Sequence, residues 1–304
     1  MQFLKQIIFT FSFIFAVIAN AEAGPPIEFV IYFSPGGPSD MISRSMLKYL
    51  PADYYASNRP GAGGKIAINH LIKSNGLMLA TMNQIYVSNT LMNTKQEYHP
   101  DDDLEVIASI GDMPLVLVCK KSLGFQTFND VKTTTKSLSF GIAGYGSSEH
   151  FATELLLKKL KSDHIIVPYP SGGSSSVIDL LGGNIDCIFA NYPRIKEFQS
   201  HPALTFLLSN VNIGIDITTW KSSFNEPFPF TSYLAIVIPR SMSASMRKTI
   251  ILDVNHAIKS QGFINDLNNI GIFPIIGADQ ASIKRVMDNN TKLFNLIKQH
   301  DLRF

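Results

Sequence analysis

Short, unbroken apolar runs alternate along this chain with segments whose apolar residues return every three or four positions. The runs have strand length and cover residues 29–33, 77–82, 115–119, 138–143, 165–169, 185–189, 205–208 and 234–238. Between them, Ile42, Met46, Tyr49 and Leu50 share one helical face, as do Ala152, Leu155, Leu156 and Leu160. Met246, Ile250, Val254 and Ile258 mark a later helix, and Ile283, Val286, Met287, Phe294 and Ile297 the last, with Asp279 as its N-cap. Such alternation predicts α/β architecture with mainly parallel sheets flanked by helices. The runs at 115–119 and 234–238 lead into ordinary turns. They fall where a chain that leaves one α/β lobe, builds a second and returns would cross. The expected division is residues 24–116 with 235–304 as one lobe and 117–234 as the other. Residues 213–230 have weak periodicity and read as an irregular connection.

Three strand endings run into loops rich in glycine and serine, and each loop opens a helix. They are Ser34-Pro35-Gly36-Gly37-Pro38-Ser39-Asp40, Gly144-Tyr145-Gly146-Ser147-Ser148, and Pro170-Ser171-Gly172-Gly173-Ser174-Ser175-Ser176. A helix N-terminus offers unpaired N–H groups and the positive end of the dipole, and glycine lets a ligand approach that backbone closely. Three such ends suit a small anion. The competing reading is a set of tight turns, with Asp40 or Ser39 as a plain N-cap. Asp40 fits the structural role in either case, because its carboxylate would repel a bound one. His150 sits too close to Ser147 in sequence to act as its base, and Gly-x-Ser-x-Gly is absent, so His150 reads as structural. Residues 58–65 lack the first glycine and the final serine of a phosphate-binding loop and read as a turn. Asn191 and Tyr192 end a strand at the sheet edge where open α/β folds bind ligands. With Asn83 and Gln84 they are candidates for setting specificity.

Composition narrows the choice. Apolar residues make up 45% of the chain and charged ones 16%, enough apolar mass for sizeable cores. The net charge of +2 is scattered, which argues against a nucleic-acid face. Lys5 followed by the apolar stretch 7–19 reads as an export signal cleaved near Ala21 or Ala23, shorter than the ~20 residues of a spanning helix. The chain is therefore expected in the periplasm. Cys119 and Cys187 lie in apolar runs; an oxidising compartment allows pairing, but the favoured reading is two buried free thiols. The histidines show no metal-ligand spacing, and neither a metal nor a cofactor is expected.

PGGPSD (35–40), NRPGAGG (58–64), SNGLMLAT (74–81), YHPDDD (98–103), GYGSSEH (144–150), VPYPSGG (167–173) and DLLGGNID (179–186) follow one another in order. In this the chain resembles the extracytoplasmic solute receptors of tripartite tricarboxylate transporters, the Bug or TctC-like family. The resemblance implies a two-lobed, type II periplasmic binding fold joined by two crossover strands. It also implies a monomer that holds a small carboxylate, a di- or tricarboxylate or related organic acid, and hands it to a membrane permease of one large and one small subunit. Carried over by position, the contacts are Gly36, Gly37, Pro38 and Ser39 from one lobe, and Gly146, Ser147, Ser148, Ser171, Gly172 and Gly173 from the other. Three places depart from the family pattern: Glu149 replaces a small polar residue, Ala190 replaces an acid at a strand end, and Thr231-Ser232-Tyr233 replaces a longer segment. Loss of the acid at Ala190 favours a plain carboxylate over an amino acid. A sensor subunit with the same pocket and an exported enzyme are the alternatives.

Overall fold

The computed structural model describes residues 26–81, 98–169 and 172–299. They form two lobes, each built on a six-stranded mixed sheet flanked by helices. The first sheet contains β1 (Ile27–Ile31), β2 (Tyr54–Asn58), β3 (Leu77–Thr81), β4 (Leu104–Asp112), β11 (Tyr233–Pro239) and β12 (Phe273–Gly277), in the order β12-β4-β11-β3-β1-β2. The second contains β5 (Leu115–Lys120), β6 (Ser139–Ile142), β7 (Ile165–Pro168), β8 (Cys187–Asn191), β9 (Leu204–Ser209) and β10 (Thr218–Thr219), in the order β10-β9-β5-β8-β6-β7. Strands β1, β3, β8 and β11 are buried along their whole length. Helices cover both faces of each sheet, which is why these segments read as continuous apolar runs.

Pairing is parallel where strand and helix alternate, as in β1 with β2 and β3, and β6 with β7 and β8. It turns antiparallel around β5 and β11. Each of these two strands is the first that the chain lays down after changing lobes. The crossings lie at Met113–Pro114 and Thr231–Ser232, and the Met113 N–H donates to the Ser232 carbonyl at 3.1 Å. Both connections therefore run side by side.

Seven helices of eight or more residues carry the fold among the described residues: α1 (Pro38–Leu47), α2 (Lys65–Ile72), α3 (Ser148–Leu160), α4 (Ser174–Leu181), α5 (Ala244–Lys259), α6 (Gln261–Ile270) and α7 (Gln280–Gln299). Ile42 and Met46 of α1 and Ile250 and Val254 of α5 enter one core of the first lobe, as their spacing predicts. Helix α7 is shared: Val286 packs against the first sheet and Leu293 joins the core of the second lobe. Between them, Asn289 accepts from the Thr231 N–H (3.2 Å) and donates to its carbonyl (2.9 Å). Asp279 accepts from the Ser282 N–H at the start of this helix, the expected cap.

Two expectations are overturned. Cys119 and Cys187 are not free thiols but a disulfide. Antiparallel β5 and β8 place them directly opposite one another, Cα to Cα 4.0 Å, although 68 positions separate them in sequence. Residues 213–230 are not a featureless connection either. They carry β10 and a short helix, Trp220–Phe224, whose fully buried Trp220 packs on Phe224 and Phe228. The expected export signal lies outside the described residues.

Candidate functional site

The lobes meet around a narrow chamber of about 10 Å³, room for about one water. Tyr32, Phe33, Pro38, Ser39 and Thr81 line it from the first lobe, Ala143, Ser147, Ser148, Asn191 and Arg194 from the second, and Met113 from the crossing. The lobes are closed on one another. Gly172 packs on the Phe33 ring, where an added Cβ would sit 3.5 Å away, and its φ of +117° suits glycine.

Helix α1 starts at the chamber wall. Gly37 is its N-cap and Pro38 its first residue, so neither Asp40 nor Ser39 caps it. Proline fits there because its missing N–H has no helical partner to lose. Asp40 has the structural role: one oxygen accepts from the Gly36 N–H (3.0 Å), the other from Arg44 Nε and Asn58 Nδ2 (both 2.9 Å). The Gly36 amide is thus committed within the protein. Ser39, 2% exposed, presents its hydroxyl beside the amides of the first turn.

Helix α3 starts opposite. Ser147 caps it by accepting from the His150 N–H (3.1 Å) while its own hydroxyl donates to the Gly144 carbonyl (2.7 Å). His150 is structural, its Nδ1 accepting from the Gly146 N–H at 3.2 Å. The ring proton then sits on Nε2, 3.6 Å from Glu154. Ser148 is more loosely bonded: its hydroxyl reaches Asn191 Oδ1 at 3.5 Å and accepts from Ser232 at the crossing at 3.1 Å.

Beneath these helix starts lies an ion pair that sequence reading missed. Glu149 Oε1 accepts from the Arg194 guanidinium and from the backbone and side-chain nitrogens of Asn191 (3.1 and 2.9 Å). Its Oε2 accepts from the Ala143 N–H at 3.0 Å. Both side chains are almost wholly buried. Gly173 caps α4 directly above, and a Cβ there would run into the guanidinium. Glycine is the residue that lets this loop close over the pair. The acid lost at Ala190 is therefore replaced: Glu149 delivers a carboxylate to the same strand end, but Arg194 neutralises it. The candidate signal was local, since Arg194 follows Asn191, Tyr192 and Pro193 and Glu149 breaks the family pattern. What the sequence does not show is that the two meet.

Tyr192 is not brought into the chamber. Its hydroxyl donates to Gln199 Oε1 (3.2 Å) and its ring lies against Gly271 of the other lobe. Beside it Lys196 Nζ donates to the carbonyls of Asn268 (3.2 Å) and Asn269 (2.7 Å) at the C-terminal end of α6, a contact between lobes that suits the helix dipole. Asn83, Gln84 and Ser171 lie outside the described residues. Tyr32 and Thr81 were not anticipated; their hydroxyls bond at 2.8 Å on the chamber wall. At the crossing, burial pushes the Asp112 carboxyl up to about 7, against the opposing pull of the Met113 and Ser232 amides and of Arg285. Among the described residues, no cluster of side chains is arranged to hold a metal, and no helix is long and apolar enough to cross a membrane.

Residues 41–302 match the Tripartite tricarboxylate transporter family receptor. Protein BugT of Bordetella pertussis is 23% identical over 299 residues, spanning 93% of this chain and 91% of BugT. Among solved structures, R. palustris Rpa4515 with adipate superposes with a TM-score of 0.82 at 20% identity, covering 92% of this chain and 98% of that one. MatC (Rpa3494) from Rhodopseudomonas palustris with bound malate gives 0.71 at 19% identity, covering 91% and 97%. Because the family match takes in both crossings and the whole of the second sheet, the chain belongs to the tripartite tricarboxylate transporter receptors, a family of solute-binding proteins.

Proposed function

We propose that this receptor captures a small carboxylate between its lobes in the periplasm and delivers it, as a monomer, to a permease of one large and one small subunit. The observation that carries the reading is the convergence of two helix starts, α1 and α3, on one closed chamber with the buried hydroxyls of Ser39 and Ser148 between them. Helix N-termini in a water-poor site hold an anion without a formal positive charge. The paired Glu149 and Arg194 leave the floor nearly neutral, so the amides and hydroxyls decide the sign of the ligand. Adipate, present with one structural relative, and malate, bound to another, are acids of this class. Ser39, Ser148 and Asn191 are the direct contacts in this reading, with Gly37 and Pro38 shaping the wall. Ser147 and Gly146 hold the α3 start in place, and Gly172 and Gly173 close the roof.

A thermal-shift screen of the mature protein against mono-, di- and tricarboxylates, amino acids and sugars tests it. A carboxylate that binds the folded state alone is expected to stabilise it by about 2.7 kcal/mol at ~100 times its dissociation constant. Stabilisation by a sugar or a cation, with silence from every acid, overturns the reading. Uptake of the bound acid by cells with and without the permease tests delivery.

A further inference from the structure

We infer that the solute is a monocarboxylic acid with an extended apolar body, its carboxylate turned toward Arg194 and its body lodged in a second space beside the chamber. The inference rests on the carboxylate reading above and narrows it. This second space also lies between the lobes, and at about 650 Å³ it is far larger than the chamber and within the range of small-molecule sites. Met41 and Ile270 line it from the first lobe, and Val177, Ile178, Leu181 and Phe198 from the second. Met41 is 39% and Ile178 69% exposed, so the two lobes each present a large apolar side chain to this space.

The two spaces share a border. Arg194 lines both, and Gly36 of the first anion loop lines the larger one while its neighbours Pro38 and Ser39 line the smaller. Arg194 is nine-tenths buried, and among the described residues its Nε hydrogen has no hydrogen-bond partner, since Nη1 alone serves Glu149. A buried guanidinium N–H left unmatched is costly, and in this inference the solute's carboxylate supplies its partner as the lobes close over it. Among its lining side chains the larger space offers a second carboxylate no further cation free of a protein partner. Its lysine, Lys196, is engaged with the carbonyls of Asn268 and Asn269, and the acid on its rim, Glu197, repels an anion. One charged end and one apolar body fit the walls; two charged ends do not.

Titration calorimetry of the mature protein with two matched series tests this: straight-chain monocarboxylates from acetate to octanoate, and the dicarboxylates of equal carbon number. The expected result is an affinity that climbs about threefold to fourfold per methylene in the first series, with hexanoate binding tighter than hexanedioate. The double variant Met41→Ser, Ile178→Ser, made at two exposed positions, is expected to flatten that climb while leaving the melting temperature of the unliganded protein in place. Tighter binding of the dicarboxylate at equal length, or a climb unaffected by the double variant, overturns the apolar-body inference and leaves the carboxylate receptor standing. Silence from both series, with a tricarboxylate or other acid stabilising the protein in the wider screen, overturns the apolar-body inference alone, and silence from every acid overturns the carboxylate reading itself.

Discussion

Each lobe brings a helix start with an acid in its first turn to the chamber, and the two are secured in different ways. In the first lobe Asp40 turns back to the Gly36 amide and is braced by Asn58 and by Arg44, whose side chain is half exposed. In the second lobe Glu149 and Arg194 are both sealed from water at the Asn191 end of β8, and a disulfide ties β8 to β5 at its other end. Exposed pairs contribute little because water already screens them, whereas a buried charge that loses its partner is stranded. The second lobe is thus a fixed floor, and the first presents a helix start that can adjust to what lies on that floor.

The largest expected effect tests the floor. Arg194→Met alone strands Glu149, and urea unfolding is expected to show a loss of about 3–5 kcal/mol, most of it recovered when Glu149→Gln is added. In the first lobe, Arg44→Ala is expected to cost about 1 kcal/mol or less. Equal losses in the two lobes would erase the contrast. Next comes the cross-link: Cys119→Ala with Cys187→Ala is expected to lower stability by about 2–4 kcal/mol, as is reduction of the native protein. A calorimetric trace unchanged by reductant would show that the second lobe owes its rigidity to something else.

A pH-dependent effect belongs to neither lobe but to the crossing. Folding holds a proton on Asp112 up to about pH 7, whereas the unfolded chain releases it near the ordinary 3.8. The folded state therefore binds the extra proton between these values. The contribution is fully present below pH 4, falls as pH rises, and is gone above about 7, with a slope of about 1 kcal/mol per pH unit at its steepest. Subtracting the stability profile of Asp112→Asn from that of the native protein isolates this slope. A flat difference would mean that the crossing is already hydrated in the closed form.

Much of the architecture was legible because strands buried on both faces and helices packed on one face write their periods locally. The runs at 115–119 and 234–238 are legible as strands, although each lies wholly within the sheet it enters, so that Leu115 and Val116 belong to the second sheet and Leu234 to the first. Two of the three glycine–serine loops, and the described part of the third, open helices as expected, although their hydrogen bonding was not foreseen: Ser147 donates its hydroxyl to Gly144, and Gly36 its amide to Asp40. What stayed hidden depends on elements far apart in sequence. The cysteines face each other only once β5 is laid antiparallel to β8, and Glu149 meets Arg194 only when the start of α3 reaches the end of β8. Helix α6 was missed for another reason. Phe263 and Leu267 keep the helical spacing, but the segment is short and follows α5 after a break at Ser260 alone.

Helix α7 has a mechanical consequence. A body joined to another by two adjacent strands can swing, twist and slide about that joint. The helix adds a third spar alongside it, anchored by Val286 at one end, by Leu293 at the other and by Asn289 on the crossing itself. With a third tie beside the two crossings, twisting and sliding are restrained more than the swing. The loops above and below the chamber then return to the same mutual alignment at each closure, so selectivity becomes a matter of alignment as well as of contact.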